Sequence, residues 1–301
     1  MRHQTLRVGI LGTSAATDRE NSPSMSQASF NNLETRILKS AIKRAGMVPS
    51  QLDALLVNSI DEFVLPKNAG RLCRDVGAAP RVAINFDTCC SSTISSVIMG
   101  SALIQANYAR SVGVVCSSRL SQMKSEIPES TPFVDSVGAC VLAPRKRKGG
   151  IIDFEMVTRG EFYGLKTVSI APSDGIASSV SMVYRSAEDS ALQGAYKSER
   201  LNGPPKLILR LLRRNHLAVQ DVDVFLFHQS RLREEWTKRL KLDETRVPAV
   251  EHGGRRANLG AASLLNLLDR ELRRNNEEQP NRILMCGIGL GMNYGVLLYE
   301  C

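Results

Sequence analysis

Residues 41–59 (AIKRAGMVPSQLDALLVNS) decide the fold, because their pattern returns in the second half of the chain as 211–229 (LLRRNHLAVQDVDVFLFHQ). Both segments have the pattern of an amphipathic helix end, a short polar loop, an aspartate and a fully apolar strand. They align without a gap, at an offset of 170 in the numbering. Two copies of one helix–strand unit indicate that the chain contains an internal duplication.

Two further pairs of segments keep the same offset. The strand-like run 112–117 (VGVVCS) falls beside 282–287 (RILMCG), and the small-residue run 88–92 (TCCSS) falls beside 258–262 (NLGAA). Continuous apolar strands that alternate with helices predict mostly parallel sheets covered on both faces. We therefore expect an α/β protein of two halves, residues 1–165 and 166–301, related by a pseudo-twofold axis.

Composition narrows the functional classes. The 301 residues are 43% hydrophobic but contain no apolar run long enough to cross a bilayer, so we expect no membrane-spanning helix. The amino terminus lacks a signal-peptide pattern, and the seven cysteines show neither an even count nor zinc-site spacing. These features predict a reducing, cytoplasmic location, no disulfide framework and no metal site.

The net charge of +9 suggests an anionic partner. Nucleic acid is disfavoured, because aromatic residues make up only 5% of the chain and are not interleaved with the basic clusters. An acidic protein partner, drawn in by electrostatic steering, and a merely solvated basic face both remain open.

Cys90 is the strongest candidate for a reactive group. It lies where the apolar segment 81–86 (RVAINF) passes through small residues into a helical stretch. Free N–H groups and the positive dipole end at a helix start stabilise a thiolate. We expect the neighbouring Cys89 to point away from the cleft into the core. For a cysteine taken alone, a buried core position is the commoner role.

The repeat supplies two partners for Cys90. Asn258 begins the equivalent small-residue segment, so the two helix starts are expected to face each other across the pseudo-axis. His228 follows the repeated strand, at the edge where parallel sheets usually bind ligands. Each residue alone is more often structural. Together, a thiol, a histidine and an asparagine form a coherent acyl-transfer site.

Several segments resemble, in the right order, the motifs of the β-ketoacyl-acyl-carrier-protein synthase III family of the thiolase superfamily. They are 133–142 (FVDSVGACVL), 227–233 (FHQSRLR), 258–263 (NLGAAS) and 289–295 (GLGMNYG), with Cys90 at the position of the acylated cysteine. The resemblance covers nearly the whole chain. It implies the thiolase fold, a five-layered αβαβα arrangement of two pseudo-twofold-related halves.

The resemblance also implies a chemistry. Cys90 would take an acyl group from a thioester, while its own N–H and those of the loop 289–291 stabilise the oxyanion. His228 and Asn258 would stabilise the enolate left when a malonyl-type thioester loses CO2, and that carbanion would attack the acyl-cysteine. No metal or redox cofactor is implied. The donors would be thioesters of coenzyme A or of an acidic acyl carrier protein.

The resemblance also implies roles for an oxyanion loop, a docking arginine and a residue at the acyl pocket. Gly289, Leu290 and Gly291 would form the oxyanion loop, and a positive φ would be costly at Leu290, which replaces a family glycine. Arg233 matches an arginine implicated in carrier-protein docking. Leu65 falls at the acyl-pocket boundary across a dimer, which we expect to be a homodimer, with a heterodimer as the alternative.

Two other functions remain open. A non-condensing acyltransferase would pass the acyl group from Cys90 to a hydroxyl or amine, although it has no enolate for Asn258 to stabilise. A non-catalytic subunit would support an active partner in a heterodimer. The sequence leaves open the acyl chain, the donor, and the choice between fatty-acid-like and secondary-metabolite biosynthesis.

Overall fold

The computed structural model describes residues 7–17, 25–60, 68–121, 124–125, 132–145, 149–173, 176–186, 190–228, 232–252, 255–274 and 279–301. Within these ranges the chain forms six α-helices: α1 Gln27–Arg44, α2 Asn68–Val76, α3 Ser92–Gln105, α4 Ser190–Arg214, α5 Leu232–Arg239 and α6 Ser263–Leu272. The strands in the same ranges are β1 Val8–Thr17, β2 Ala54–Ile60, β3 Val82–Asn85, β4 Val112–Ser118, β5 Lys124–Ser125, β6 Ser136–Pro144, β7 Gly150–Thr158, β8 Lys166–Ser173, β9 Ile176–Ser186, β10 Val224–Phe227, β11 Glu251–His252, β12 Arg255–Arg256, β13 Arg282–Gly289 and β14 Asn293–Glu300.

Two mixed sheets form the body of the molecule. The first has the order β1-β6-β4-β2-β3, and the second has the order β10-β13-β14-β7. Strands β2, β3 and β4 run parallel, as do β10 and β13, whereas β6 and β14 pair antiparallel with both of their neighbours. The expectation of mostly parallel sheets is therefore wrong. The short connection 290–292 between β13 and β14 is one physical reason, because so short a link permits only antiparallel pairing.

The duplication is visible in the two sheets. Strands β2 and β10 begin at Ala54 and Val224, and β4 and β13 begin at Val112 and Arg282, so both pairs keep the offset of 170. Strand β1 pairs with β6 as β7 pairs with β14. The second sheet thus includes β7, which precedes residue 165; the division of the chain into 1–165 and 166–301 stays a prediction.

The elements stack in five layers. Helices α1 and α2 pack on the outer face of the first sheet, and α4 and α5 on the outer face of the second. Helices α3 and α6 lie between the sheets in a shared core. Helix α3 suits this central layer because it carries no charged residue and its Gly100 leaves room for Leu142, whose Cδ1 would lie 2.7 Å from an added Cβ.

Two other expectations concern the whole chain. None of the seven cysteines forms a disulfide. Among the helices of the described ranges, none combines the length and the apolar character needed to cross a membrane.

We predict that Gly12→Ala destabilises the fold. An added Cβ would lie 2.4 Å from the Ala41 carbonyl oxygen and 2.5 Å from the Ala45 nitrogen, so β1 and α1 must separate. Such overpacking costs about 1–3 kcal/mol. The control is Gly70→Ala in α2, where nothing lies within 4 Å, and where alanine is expected to add about 0.5–1 kcal/mol. Urea unfolding measures the free energy of unfolding of both variants. Equal changes in Gly12→Ala and Gly70→Ala would contradict the close packing of β1 on α1.

Candidate active site

The chain turns sharply between β3 and α3. A one-turn helix, Cys89–Ser91, leads directly into α3. Cys89 has a left-handed backbone, with φ at +54°, a conformation that costs a residue with a side chain roughly 1–2 kcal/mol. The carboxylate of Asp87 holds the turn, because its Oδ1 accepts the Cys89 N–H at 2.6 Å.

The second half contains the same turn. Gly260, also at φ +54°, starts the one-turn helix Gly260–Ala262, and its N–H donates to Asn258 Oδ1 at 2.9 Å. Cys89 therefore corresponds to Gly260, and Asp87 to Asn258. This correspondence has an offset of 171, so the ungapped alignment placed this segment one position out of register.

Side chains of the first half fix the turn at Cys89. Thr88 donates its N–H to Ser92 Oγ at 2.9 Å, and Asn58 donates from Nδ2 to Asp87 Oδ1 at 3.2 Å. Asn58 is the counterpart of His228 in the repeat, at the offset of 170. The same position of the duplicated strand therefore holds a supporting amide in one half and the predicted catalytic imidazole in the other.

The two adjacent cysteines are half-buried, and their sulfur atoms lie 3.9 Å apart. The expectation that Cys89 points into the core is wrong. A hydrogen bond from the Cys90 thiol, and others from the N–H groups of Leu290 and Cys90, lower the pKa of Cys89 against the opposing effects of burial and the Asp87 charge. The contact with Cys89, together with burial, raises the pKa of Cys90 well above its ordinary value.

The loop after β13 passes close to this turn. A Cβ on Gly289 would lie 2.4 Å from the Thr88 carbonyl oxygen, so the approach requires glycine. The positive φ of the loop falls on Gly291, at +93°, and Leu290 is not among the non-glycine residues with positive φ. The expected cost at Leu290 therefore does not arise, and its N–H lowers the pKa of Cys89.

His228 follows β10 and is 4% exposed. Its backbone N–H donates to the Cys286 carbonyl at 2.9 Å, whereas neither ring nitrogen has a hydrogen-bond partner among the described residues. Burial, together with the positive charge of Arg200, lowers the pKa of His228 to about 4. The imidazole is therefore neutral at pH 7 and free to bond to a ligand.

Asn258 is held by its backbone and by its side-chain oxygen. Its N–H donates to the Pro132 carbonyl at 2.9 Å, and its carbonyl accepts the Val134 N–H at 3.1 Å. Since Oδ1 is bonded to the Gly260 N–H, the orientation of the amide is fixed. No acceptor for Nδ2 occurs within the described part of the chain, so this NH2 group can donate to a ligand.

These groups lie at one end of the central layer. The one-turn helices that begin at Cys89 and Gly260 pack against each other, and Thr93 Oγ1 donates to the Ala261 carbonyl at 2.7 Å. Strand β10, which leads to His228, pairs with β13, whose Gly287 packs against Ser91. The structure thus brings the cysteine pair, both helix starts and the oxyanion loop together.

Arg200 is a site residue that the sequence analysis missed. It projects from α4, its guanidinium lies 5.4 Å from the centre of the Tyr196 ring, and its carbonyl accepts the Trp236 indole N–H at 2.9 Å. Its charge lowers the pKa of both His228 and Cys90. The sequence carried no signal for Arg200, because this part of α4 precedes the repeated segment 211–229.

The two remaining predicted positions gain no support. Arg233 is only 6% exposed, and its Nη2 donates to the Val247 carbonyl, so its role in carrier-protein docking stays a prediction. Leu65 lies outside the described residues. In the described ranges, no group of three or more His, Cys, Asp or Glu side chains could hold a metal ion.

Comparison with known proteins agrees with the predicted resemblance. A family model for the C-terminal part of 3-oxoacyl-[acyl-carrier-protein] synthase III matches residues 212–301. The β-ketoacyl-[acyl-carrier-protein] synthase III of Campylobacter jejuni (strain RM1221) is 25% identical over 303 residues, covering 98% of this chain and 88% of the relative.

Solved structures show the same fold. The 3-oxoacyl-[acyl-carrier-protein] synthase III of Aquifex aeolicus matches with a TM-score of 0.79 at 17% identity, covering 98% of this chain and 100% of that one. The priming β-ketosynthase of the R1128 polyketide biosynthetic pathway matches at 0.78 with 19% identity, covering 100% and 98%. The resemblance is therefore confirmed: the protein is similar to β-ketoacyl-acyl-carrier-protein synthase III and has the thiolase fold.

We predict that Asp87→Asn increases thiol reactivity. The amide oxygen can still accept the Cys89 N–H, as Asn258 does for Gly260, while the negative charge that raises the thiol pKa is lost. Alkylation by iodoacetamide at pH 7 is expected to accelerate roughly two- to tenfold. The control is Asp221→Asn, where Oδ2 accepts the Ala218 N–H at 2.7 Å. An unchanged or slower rate in Asp87→Asn would contradict the assigned electrostatics.

We predict that the buried imidazole of His228 makes the free energy of unfolding depend on pH. Its folded pKa of about 4 lies below the ordinary value of 6.5, so the unfolded chain binds the extra proton and stability falls as pH drops from about 6.5 to 4. Over this pH range the free energy of unfolding of the wild type is expected to fall by about 3 kcal/mol more than that of His228→Gln. Urea unfolding at several pH values tests this; parallel curves for the two proteins would refute the neutral, buried imidazole.

Proposed function

We propose that the protein is an acyl thioester condensing enzyme in which a thiol of the Cys89–Cys90 pair carries the acyl group. The observation that carries the proposal is the buried imidazole of His228, whose ring nitrogens have no partner among the described residues. The charge of Arg200 lowers the pKa of both His228 and Cys90. A buried polar group without a partner is costly, and a substrate oxygen would supply the missing bond. The sequence favours Cys90 as the acylated thiol, with Asn258 as the second donor.

In the first stage the thiol displaces the donor thiol from an acyl thioester. The carbonyl carbon forms a bond to the cysteine sulfur, the bond to the donor sulfur breaks, and the proton of the cysteine ends on the departing thiol. The developing oxyanion accepts hydrogen bonds from backbone N–H groups, for which Cys90 and the loop residues Gly289, Leu290 and Gly291 are the proposed sources.

In the second stage a malonyl-type thioester loses CO2, and its enolate attacks the acyl-cysteine. The new C–C bond forms as the C–S bond breaks, which gives a β-keto thioester and the cysteine thiolate, and the thiolate takes a proton from solvent. Neutral His228 and the fixed NH2 group of Asn258 are suited to bond to the enolate oxygen. We propose thioesters of an acyl carrier protein or coenzyme A as donors. Homodimerisation and docking of an acidic carrier protein on the basic surface stay predictions, as does a role in fatty-acid-like or secondary-metabolite biosynthesis.

Intact-mass spectrometry with a panel of acyl-coenzyme A and acyl-carrier-protein thioesters tests this function. The wild type is expected to gain one acyl group and to discharge it with CO2 release when malonyl thioester is added. His228→Ala and Asn258→Ala are expected to acylate but to release CO2 roughly 100-fold more slowly. Gly70→Ala is the control with unchanged activity.

Other outcomes would select the alternatives. An adduct that malonyl thioesters never discharge, but that passes to an amine or hydroxyl, would replace condensation with simple acyl transfer. The absence of an adduct from every donor would indicate a non-catalytic subunit.

A further inference from the structure

We propose that Cys89, and not Cys90, is the acylated nucleophile, an inference that rests on the proposed function and revises the residue chosen from the sequence. Cys89 is the left-handed first residue of the one-turn helix Cys89–Ser91, whereas Cys90, the second residue of that helix, has no positive φ. A nucleophile at a strained strand-to-helix turn has its reactive atom exposed at the edge of the sheet.

The duplication shows that the left-handed turn does not itself require a cysteine. In the second half the same backbone conformation, with the same side-chain hydrogen bond, is occupied by Gly260. Glycine adopts this conformation freely, whereas a side chain at the same place costs energy that persists in proteins mainly at functional sites. Cys89 therefore carries a cost that a functional thiol would explain.

The surroundings of the two sulfur atoms differ. The Cys89 sulfur lies 3.9 Å from the Cys90 sulfur, and the Leu290 and Cys90 N–H groups lower the pKa of Cys89, so negative charge on this sulfur is stabilised. Burial and the Asp87 charge oppose a negative charge on either sulfur, but the Leu290 and Cys90 N–H groups favour it on Cys89. Since the thiolate is the nucleophilic form, Cys89 is the reactive member of the pair.

The oxyanion site also fits attack by Cys89. The N–H of Cys89 is occupied by Asp87 Oδ1 at 2.6 Å and is not available to an oxyanion. The N–H groups of Cys90 and Leu290 both favour negative charge on the Cys89 sulfur, so they are the proposed donors to an oxyanion that forms on a carbonyl carbon bonded to it. The N–H of the residue after the nucleophile and one from a neighbouring loop form the oxyanion hole of α/β-hydrolases in the same way.

Two matched variants test the assignment by intact-mass spectrometry with the acyl thioester panel. Cys89→Gly removes the thiol while keeping the turn, because glycine occupies the equivalent position at Gly260. It is expected to abolish the adduct. Cys90→Ala is expected to keep the adduct but to form it several-fold more slowly, because Cys89 loses a hydrogen-bond donor. Cys90→Ser, which restores a donor, is expected to recover part of the rate.

The possible results separate this inference from the proposed function. If the wild type forms no adduct with any donor, the proposed function fails. If the wild type and a folded Cys89→Gly both form the adduct while Cys90→Ala does not, the function stands and the assignment of Cys89 is overturned. Loss of the adduct in both Cys90→Ala and Cys90→Ser would also overturn it.

Discussion

The left-handed turn at Cys89, held by the Asp87 carboxylate, is the constraint on which the candidate site depends. It places a thiol between the start of α3 and the loop after β13, where Gly289 permits close approach. The bond to Asp87 offsets the cost of this backbone conformation, but the same carboxylate opposes thiolate formation. The hydrogen bonds from Cys90 and Leu290 outweigh that opposition, so one local network sets both the shape of the turn and the charge of its sulfur.

The duplication explains how two similar halves produce one asymmetric site. Each half supplies the same backbone: a strand end, a carboxylate or amide that caps a left-handed turn, and a central helix. The first half places a cysteine at that turn, and the second places Gly260 there and His228 at the end of its strand. The two one-turn helices pack against each other, so the thiol-bearing turn of one half meets the turn that begins after Asn258 in the other.

Much of the fold could be predicted from the sequence because the repeated helix–strand unit keeps a constant offset over long, regular elements. The antiparallel strands β6 and β14 were misjudged because apolar strands in a covered sheet look alike in either direction. At the site, one extra residue shifts the register, so the match between Cys89 and Gly260 was hidden, although a glycine opposite a cysteine was an available signal. Arg200 could not be found, because its distance from His228 depends on how α4 packs rather than on any local pattern.

We infer that the backbone turn at Cys89, and not the helix start alone, selects the reactive sulfur. The most direct measurement is a crystal structure of the protein after reaction with one equivalent of iodoacetamide. We expect a carbamidomethyl group on Cys89, with φ still positive and the adduct's carbonyl oxygen within hydrogen-bond distance of the Leu290 and Cys90 N–H groups. An adduct on Cys90, or a Cys89 backbone in the right-handed region, would contradict it.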